Sequence, residues 1–151
     1  MSELVRGSWA PLFDRLSSTG ADGTGAFLLP TGELEVSIAR ELGRLFNSRC
    51  RLGLSELGSS TGTVVDYGIP DFSALSPRSD EDRELLRRAL AQSIGFFEPR
   101  LSNVAVQVQE SPQRGDVTAV TVSGDVTIGL QPRRVSFALN LNPSQDVARA
   151  S

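Results

Sequence analysis

Apolar residues recur at helical spacing over the first two-thirds of the chain and at every second position over the last third. The first pattern predicts helices, the second strands. Residues 31–48 predict a helix in which Leu34, Ile38, Leu42, Leu45 and Phe46 form one stripe, with Arg40, Glu41 and Arg44 opposite. A second helix begins after Ser79. Ser79 and Asp82 stand at capping-box positions, and Asp80, Glu81 and Asp82 set negative charge on the positive end of the helix dipole. Leu86, Ala89, Leu90, Ile94 and Phe97 form its buried stripe, and Arg83, Arg87 and Arg88 a solvated face. Pro99 disfavours helical geometry at the residue before it, so this helix ends at Phe97 or Glu98. A shorter helix is expected over 8–17, capped by Ser8, with Pro11 in its first turn and Trp9, Leu12, Phe13 and Leu16 as its apolar stripe.

Strict alternation then takes over. Val104, Val106 and Val108 mark one half-buried strand. Val120, Val122, Val126, Ile128 and Leu130 share one parity and predict a long strand over 117–130. Gly124 on the same face reads as a thin point, not a hairpin. "QPRR" reads as a turn, and Val135, Phe137, Leu139 and Leu141 as a third strand. Helices followed by three closely connected strands imply an α+β fold: N-terminal helices, then a three-stranded antiparallel meander covered on one face by helices. The expected organisation is a helix within 1–17, a Gly-rich flexible linker over 18–30, the α+β domain over 31–142 and a frayed tail over 143–151.

Between the two long helices lies "TVVDYGIPDFS". Val64 and Val65 read as the start of a short strand, Gly68 as a site for positive φ, Pro70 as a stiffener, and Asp66 and Asp71 as turn caps.

Composition narrows the chemistry. A net charge of −3 argues against a non-specific nucleic-acid partner. All 15 basic residues are arginine, which codon usage explains, although arginine also suits interfaces. There is no histidine and one cysteine, Cys50, so a Ser-His-Asp or Cys-His triad, a histidine-ligated metal and an internal disulfide are all excluded. No cofactor is expected. Neither an apolar run near 18 residues nor a secretory signal pattern is evident, which predicts a cytoplasmic protein without direct membrane insertion.

The sharpest local feature is "FEPRL" at 97–101, where two opposite charges flank a proline at a helix-to-strand joint. In an extended stretch Glu98 and Arg100 project together. Both share the even parity of the buried valines, so either a kink at Ser102–Asn103 separates them from the strand or Glu98 stays on the last helical turn. Three roles compete. A glycosidase acid needs a raised pKa and a second carboxyl about 5–9.5 Å away, for which Asp66 and Asp71 are the candidates. An internal clamp and a docking point for another subunit are the others, and both rank above catalysis.

"LFDRL", "SIARELGRLFNSR", "VVDYGIPDFS" and "FEPRL" together resemble the TssE family, baseplate subunits of bacterial type VI secretion systems. These are akin to the wedge proteins of contractile-phage baseplates and carry a "lysozyme-like" label. The resemblance implies a non-enzymatic structural protein that contacts other baseplate wedge subunits, helps start the contractile sheath, and sits in the cytoplasm, docked at the inner membrane through the baseplate. It maps an assembly motif onto Glu98, Pro99 and Arg100, and a structural motif onto Tyr67, Gly68 and Pro70. Trp9, Leu12, Phe13 and Leu16 are then expected to dock on a partner or to pack on the chain's own core. An exposed meander edge is a route to pairing with sheath strands. The alternatives are a peptidoglycan-active lysozyme-type hydrolase and a phage or tailocin baseplate protein.

Overall fold

A computed structural model describes residues 8–9, 28–29, 31–110, 118–128 and 130–141. Two short strands, β1 (Ser8–Trp9) and β2 (Leu28–Leu29), pair antiparallel ahead of helix α1 (Thr31–Phe46). Two 3-10 turns follow, Leu57–Ser59 and Val64–Asp66, then helix α2 (Asp80–Phe97). Strands β3 (Leu101–Glu110), β4 (Thr118–Ile128) and β5 (Gln131–Leu141) form an antiparallel sheet in the order β3-β4-β5. The fold is α+β, with the helices N-terminal to the sheet and packed on it.

Each helix buries the stripe its spacing dictates. Leu34, Ile38, Leu42, Leu45 and Phe46 of α1 are buried, as are Leu86, Leu90 and Ile94 of α2. They meet Val106, Val120, Val122, Val126, Val135 and Leu141 from one face of the sheet. Fully burying one such side chain is worth about 1.5–3 kcal/mol, so this layer is the main stabilising element. At the start of α2 the Ser79 hydroxyl accepts from the Asp82 N–H at 3.3 Å. The box is not reciprocal, because the Asp82 carboxylate accepts instead from the Ser76 N–H at 2.9 Å.

The parity conflict at the start of β3 is resolved by a bulge. The β3–β4 register shifts between Ser102 and Ala105, and Asn103 has φ +49. Leu101, opposite Val126, points inward at odd parity; after the extra residue, inward positions are even, with Val106 buried and Val104 and Val108 half-buried. Gly124 lies beneath this crossing. A Cβ there would sit 3.1 Å from the Ser102 carbonyl oxygen and 3.2 Å from Leu101 Cδ2, so the strand is thin where Leu101 packs over it.

Several local expectations are corrected. Ser8 and Trp9 pair with Leu29 and Leu28 in extended backbone and do not open a helix; residues 10–17, with Leu12, Phe13 and Leu16, lie outside the described residues. Val64 and Val65 form a 3-10 turn, 91% and 77% exposed, because the Thr63–Asp66 capping box closes the chain there before it can extend. "QPRR" belongs to β5: Gln131 pairs with Ile128 and Pro132 with Thr127. Pro132 is tolerated because, among the described residues, β5 is an edge strand, where a missing N–H can face away from the ladder. Leu130 falls in the connection between β4 and β5 and is 99% exposed instead of buried.

Candidate functional site: the helix-to-strand joint

Glu98 caps the C-terminus of α2, its N–H donating to the Ile94 carbonyl at 2.8 Å. The Leu101 N–H donates back to the Glu98 carbonyl at 3.1 Å, closing a tight turn with exposed Pro99 at its second position. On this turn the two charges meet each other. Arg100 Nε donates to Glu98 Oε1 at 2.7 Å and Nη2 to Oε2 at 2.6 Å. The Arg100 backbone N–H also reaches Oε1, at 3.3 Å. Arg100 Nη1 donates to the Ser37 hydroxyl of α1 at 3.0 Å. Glu98 is 3% exposed, Ser37 4%, and the Arg100 side chain 13%.

The joint is thus a buried ion pair inside one chain, tied to a second helix. Bidentate arginine–carboxylate geometry satisfies both carboxylate oxygens, the condition under which a buried charge is tolerated. The projection of both side chains to the same side follows the sequence reading. Ser37 does not; its signal was a small polar residue one turn from Leu34 on the buried face of α1, which helical spacing alone assigns to the core.

Tyr67 borders the same region. Its ring meets Phe97 edge-on at 5.2 Å between centroids. Burial pushes its phenol above the ordinary value, the Glu41 charge adds to this and Arg44 opposes it. Glu41 is only 16% exposed, so it does not lie on the solvent side of α1 as its helical position suggested; it pairs with Arg44. Gly68 has φ +124, and a Cβ there would lie 2.7 Å from the Ser48 carbonyl oxygen. The backbone of 67–70 is stitched to the end of α1: Ile69 N–H donates to Ser48 O at 2.9 Å and Cys50 N–H to Ile69 O at 3.0 Å. Arg49 closes this corner, donating to the Phe46 carbonyl at 2.9 Å and stacking over Phe72 at 4.8 Å.

The two candidate partner carboxylates are local caps. Asp66 accepts from the Thr63 hydroxyl at 2.6 Å and from the Ser60 hydroxyl at 3.2 Å, and these bonds, led by that to Thr63, hold it below the usual carboxylate range. Asp71 accepts from the Ser73 N–H at 2.9 Å and is lowered by it. Among the described residues no cluster of three or more His, Cys, Asp or Glu could hold a metal, and no helix is long and apolar enough to cross a membrane.

The joint is thus a carboxylate locked to its own arginine on a tight turn, within a helix-covered meander. The family of baseplate wedge protein gp25 matches residues 32–130, and the chain belongs to that family. The match spans both motifs, Tyr67–Pro70 and Glu98–Arg100. A solved chain from "The baseplate complex from the type VI secretion system" has the same fold, with a TM-score of 0.51 at 21% identity, covering 74% of this chain and 96% of that chain. No curated protein matches the sequence.

Proposed function

We propose that this protein is a non-enzymatic structural subunit of a type VI secretion baseplate that joins the other wedge subunits and helps initiate the contractile sheath. The observation that carries the reading is the Glu98–Pro99–Arg100 turn: a proline exposed on a joint whose two charges are held rigid by a bidentate pair and by Ser37. A preorganised surface loses little entropy on docking, which favours its use as an assembly point. Family membership supports the wedge role, and the shared fold with a baseplate component supports the secretion setting. The working location is the cytoplasmic face of the inner membrane, reached through the baseplate. The N-terminal residues Trp9, Leu12, Phe13 and Leu16 remain candidates for a partner contact.

The sheath contact is assigned to the β5 edge. Among the described residues β5 is paired on one side only, by β4. Pro132 lacks an N–H and pairs with Thr127 in unbroken register, so its nitrogen faces away from β4. Backbone groups alternate sides along a strand, so Ala138 and Asn140, which share the parity of Pro132, also face their N–H outward. Ala138→Pro should therefore leave the fold intact and block sheath assembly. Normal sheaths from this folded variant reject the β5 edge.

The reading is tested by co-expression with the other baseplate subunits, which should co-purify in a stable complex. Peptidoglycan turnover by the purified protein, lost on Glu98→Gln, would establish the hydrolase alternative instead.

A further inference from the structure

A guanidinium carries five N–H donors. In Arg100 one on Nε and one on Nη2 serve Glu98, and one on Nη1 serves Ser37. Nη1 and Nη2 each keep one further N–H. Of the three buried partners, Arg100 alone retains appreciable surface, 13% of its side chain against 3% for Glu98 and 4% for Ser37. Glu98 and Arg100 lie on the same short turn, so their pairing alone leaves the guanidinium free to swing with that turn. Ser37 reaches it from α1, a separate element, and fixes its orientation against the body of the fold.

The chemistry of a docking acceptor follows from the charges around the site. Glu98 already balances Arg100. Glu41 and Glu98 act electrostatically on Tyr67 and Arg44 opposes them; Glu41 pairs with Arg44 as Glu98 does with Arg100, so the charges at this corner are already balanced. A further carboxylate from a partner would lose its hydration against a site with no unbalanced cation to offset that cost, which disfavours it. A neutral acceptor with partial negative charge fits better. The last turn of an α-helix offers main-chain carbonyls without intrahelical partners and the negative end of the helix dipole. The Tyr67 hydroxyl, which makes no hydrogen bond to the described residues, is a further donor beside the pair.

We infer that Ser37 is a positioning residue, holding Arg100 so that its two remaining N–H groups bind main-chain carbonyls at a helix C-terminus of a neighbouring baseplate subunit. This rests on the baseplate reading above. It adds a residue outside the Glu-Pro-Arg turn and a class of acceptor.

The test measures affinity of the folded full-length chain for the purified baseplate subunits, alongside thermal melting. Ser37→Ala should weaken binding by up to about tenfold, the cost of ordering one long side chain at the moment of docking. Ser37→Thr, which restores the hydroxyl, should recover it. Arg100→Lys, which keeps the charge but removes the fork, should bind no better than Ser37→Ala. Raising salt from about 0.1 to about 0.5 M should change wild-type affinity less than about threefold, because the acceptor is neutral. Two results overturn the inference while leaving the baseplate reading intact: Ser37→Ala with a lowered melting temperature but wild-type affinity in its folded fraction, or a loss of wild-type affinity in salt above about tenfold, the mark of a carboxylate acceptor. Wild-type protein that binds none of the baseplate subunits removes the baseplate reading and the inference with it.

Discussion

Two arginine–carboxylate clusters lie at the start of β3 and differ in almost everything that determines their energetic weight. At the joint, Arg100 and Glu98 are 13% and 3% exposed and in contact at 2.6 Å, with Ser37 as third partner. Across the bulge, Arg134 and Asp125 are 54% and 21% exposed and 3.2 Å apart, with Asn103 as third partner. Asn103 Nδ2 donates to Asp125 Oδ2 at 2.9 Å, and Arg134 also reaches the Asn103 carbonyl at 3.4 Å. Both clusters join a carboxylate, an arginine and a small polar residue; in the first the two charges share one turn and only Ser37 comes from another element, whereas in the second each residue comes from its own strand. Only the first buries its carboxylate almost completely, so there losing a partner strands a charge. The second holds a bulge in shape over solvent, where water replaces whatever is removed.

The largest expected effect breaks the buried cluster. Arg100→Ala or Glu98→Ala should cost about 3–5 kcal/mol, because the surviving partner is left buried and unpaired. For a chain of this size that is a melting-temperature fall on the order of 10 °C. Replacing both residues by methionine should recover much of that loss, since an apolar pair leaves no stranded charge. A double variant as unstable as the two single losses added together would show that the pair does not act as a unit. Baseplate binding should remain lost in the recovered variant, which separates holding the fold from docking the partner.

A smaller effect is expected at the bulge, and its origin is the backbone. Asn103 sits at φ +49, a region that costs an ordinary residue about 1–2 kcal/mol. Asn103→Ala should lose about that much by urea denaturation, whereas Asn103→Gly, free of the strain, should lose less. Equal losses would place the cost in the side-chain hydrogen bond to Asp125.

Arg134→Ala should move the melting temperature least, and the difference should shrink further in high salt. It should also depend on pH. Asn103, then Arg134, hold Asp125 below its ordinary value of 3.8. A carboxylate lowered in the folded state contributes stability above its unfolded pKa and loses it as pH falls through the folded value. The gap between wild type and Arg134→Ala should therefore be full at neutral pH and close as the pH drops below 3.8. A gap that persists well below that value would assign it to packing of the arginine stem.

How much of this was legible in the sequence follows from which interactions are local. The stripes of α1 and α2, the meander and the kink after Ser102 all follow from spacing and parity within one element. The failures are places where a distant element decides. Ser37 matters only because a residue 63 positions away folds onto it. Pro132 reads as a turn residue unless β5 is known to be an edge. Trp9 lies at helical spacing from Leu12, Phe13 and Leu16, yet Leu28 pairs with it in extended backbone. Val64, Val65 and Leu130 are exposed apolar residues that short-range pattern assigns to strands, and the chain reverses before strand pairing can cover them.

The most direct test of the account is a cryo-EM map of the baseplate assembled with this chain. The account predicts the chain seated in the wedge, with the Glu98–Arg100 pair and its Ser37 contact intact and a neighbouring subunit's main-chain carbonyls against Arg100. A map in which Pro99 and Arg100 face solvent, with no subunit against the joint, would contradict it.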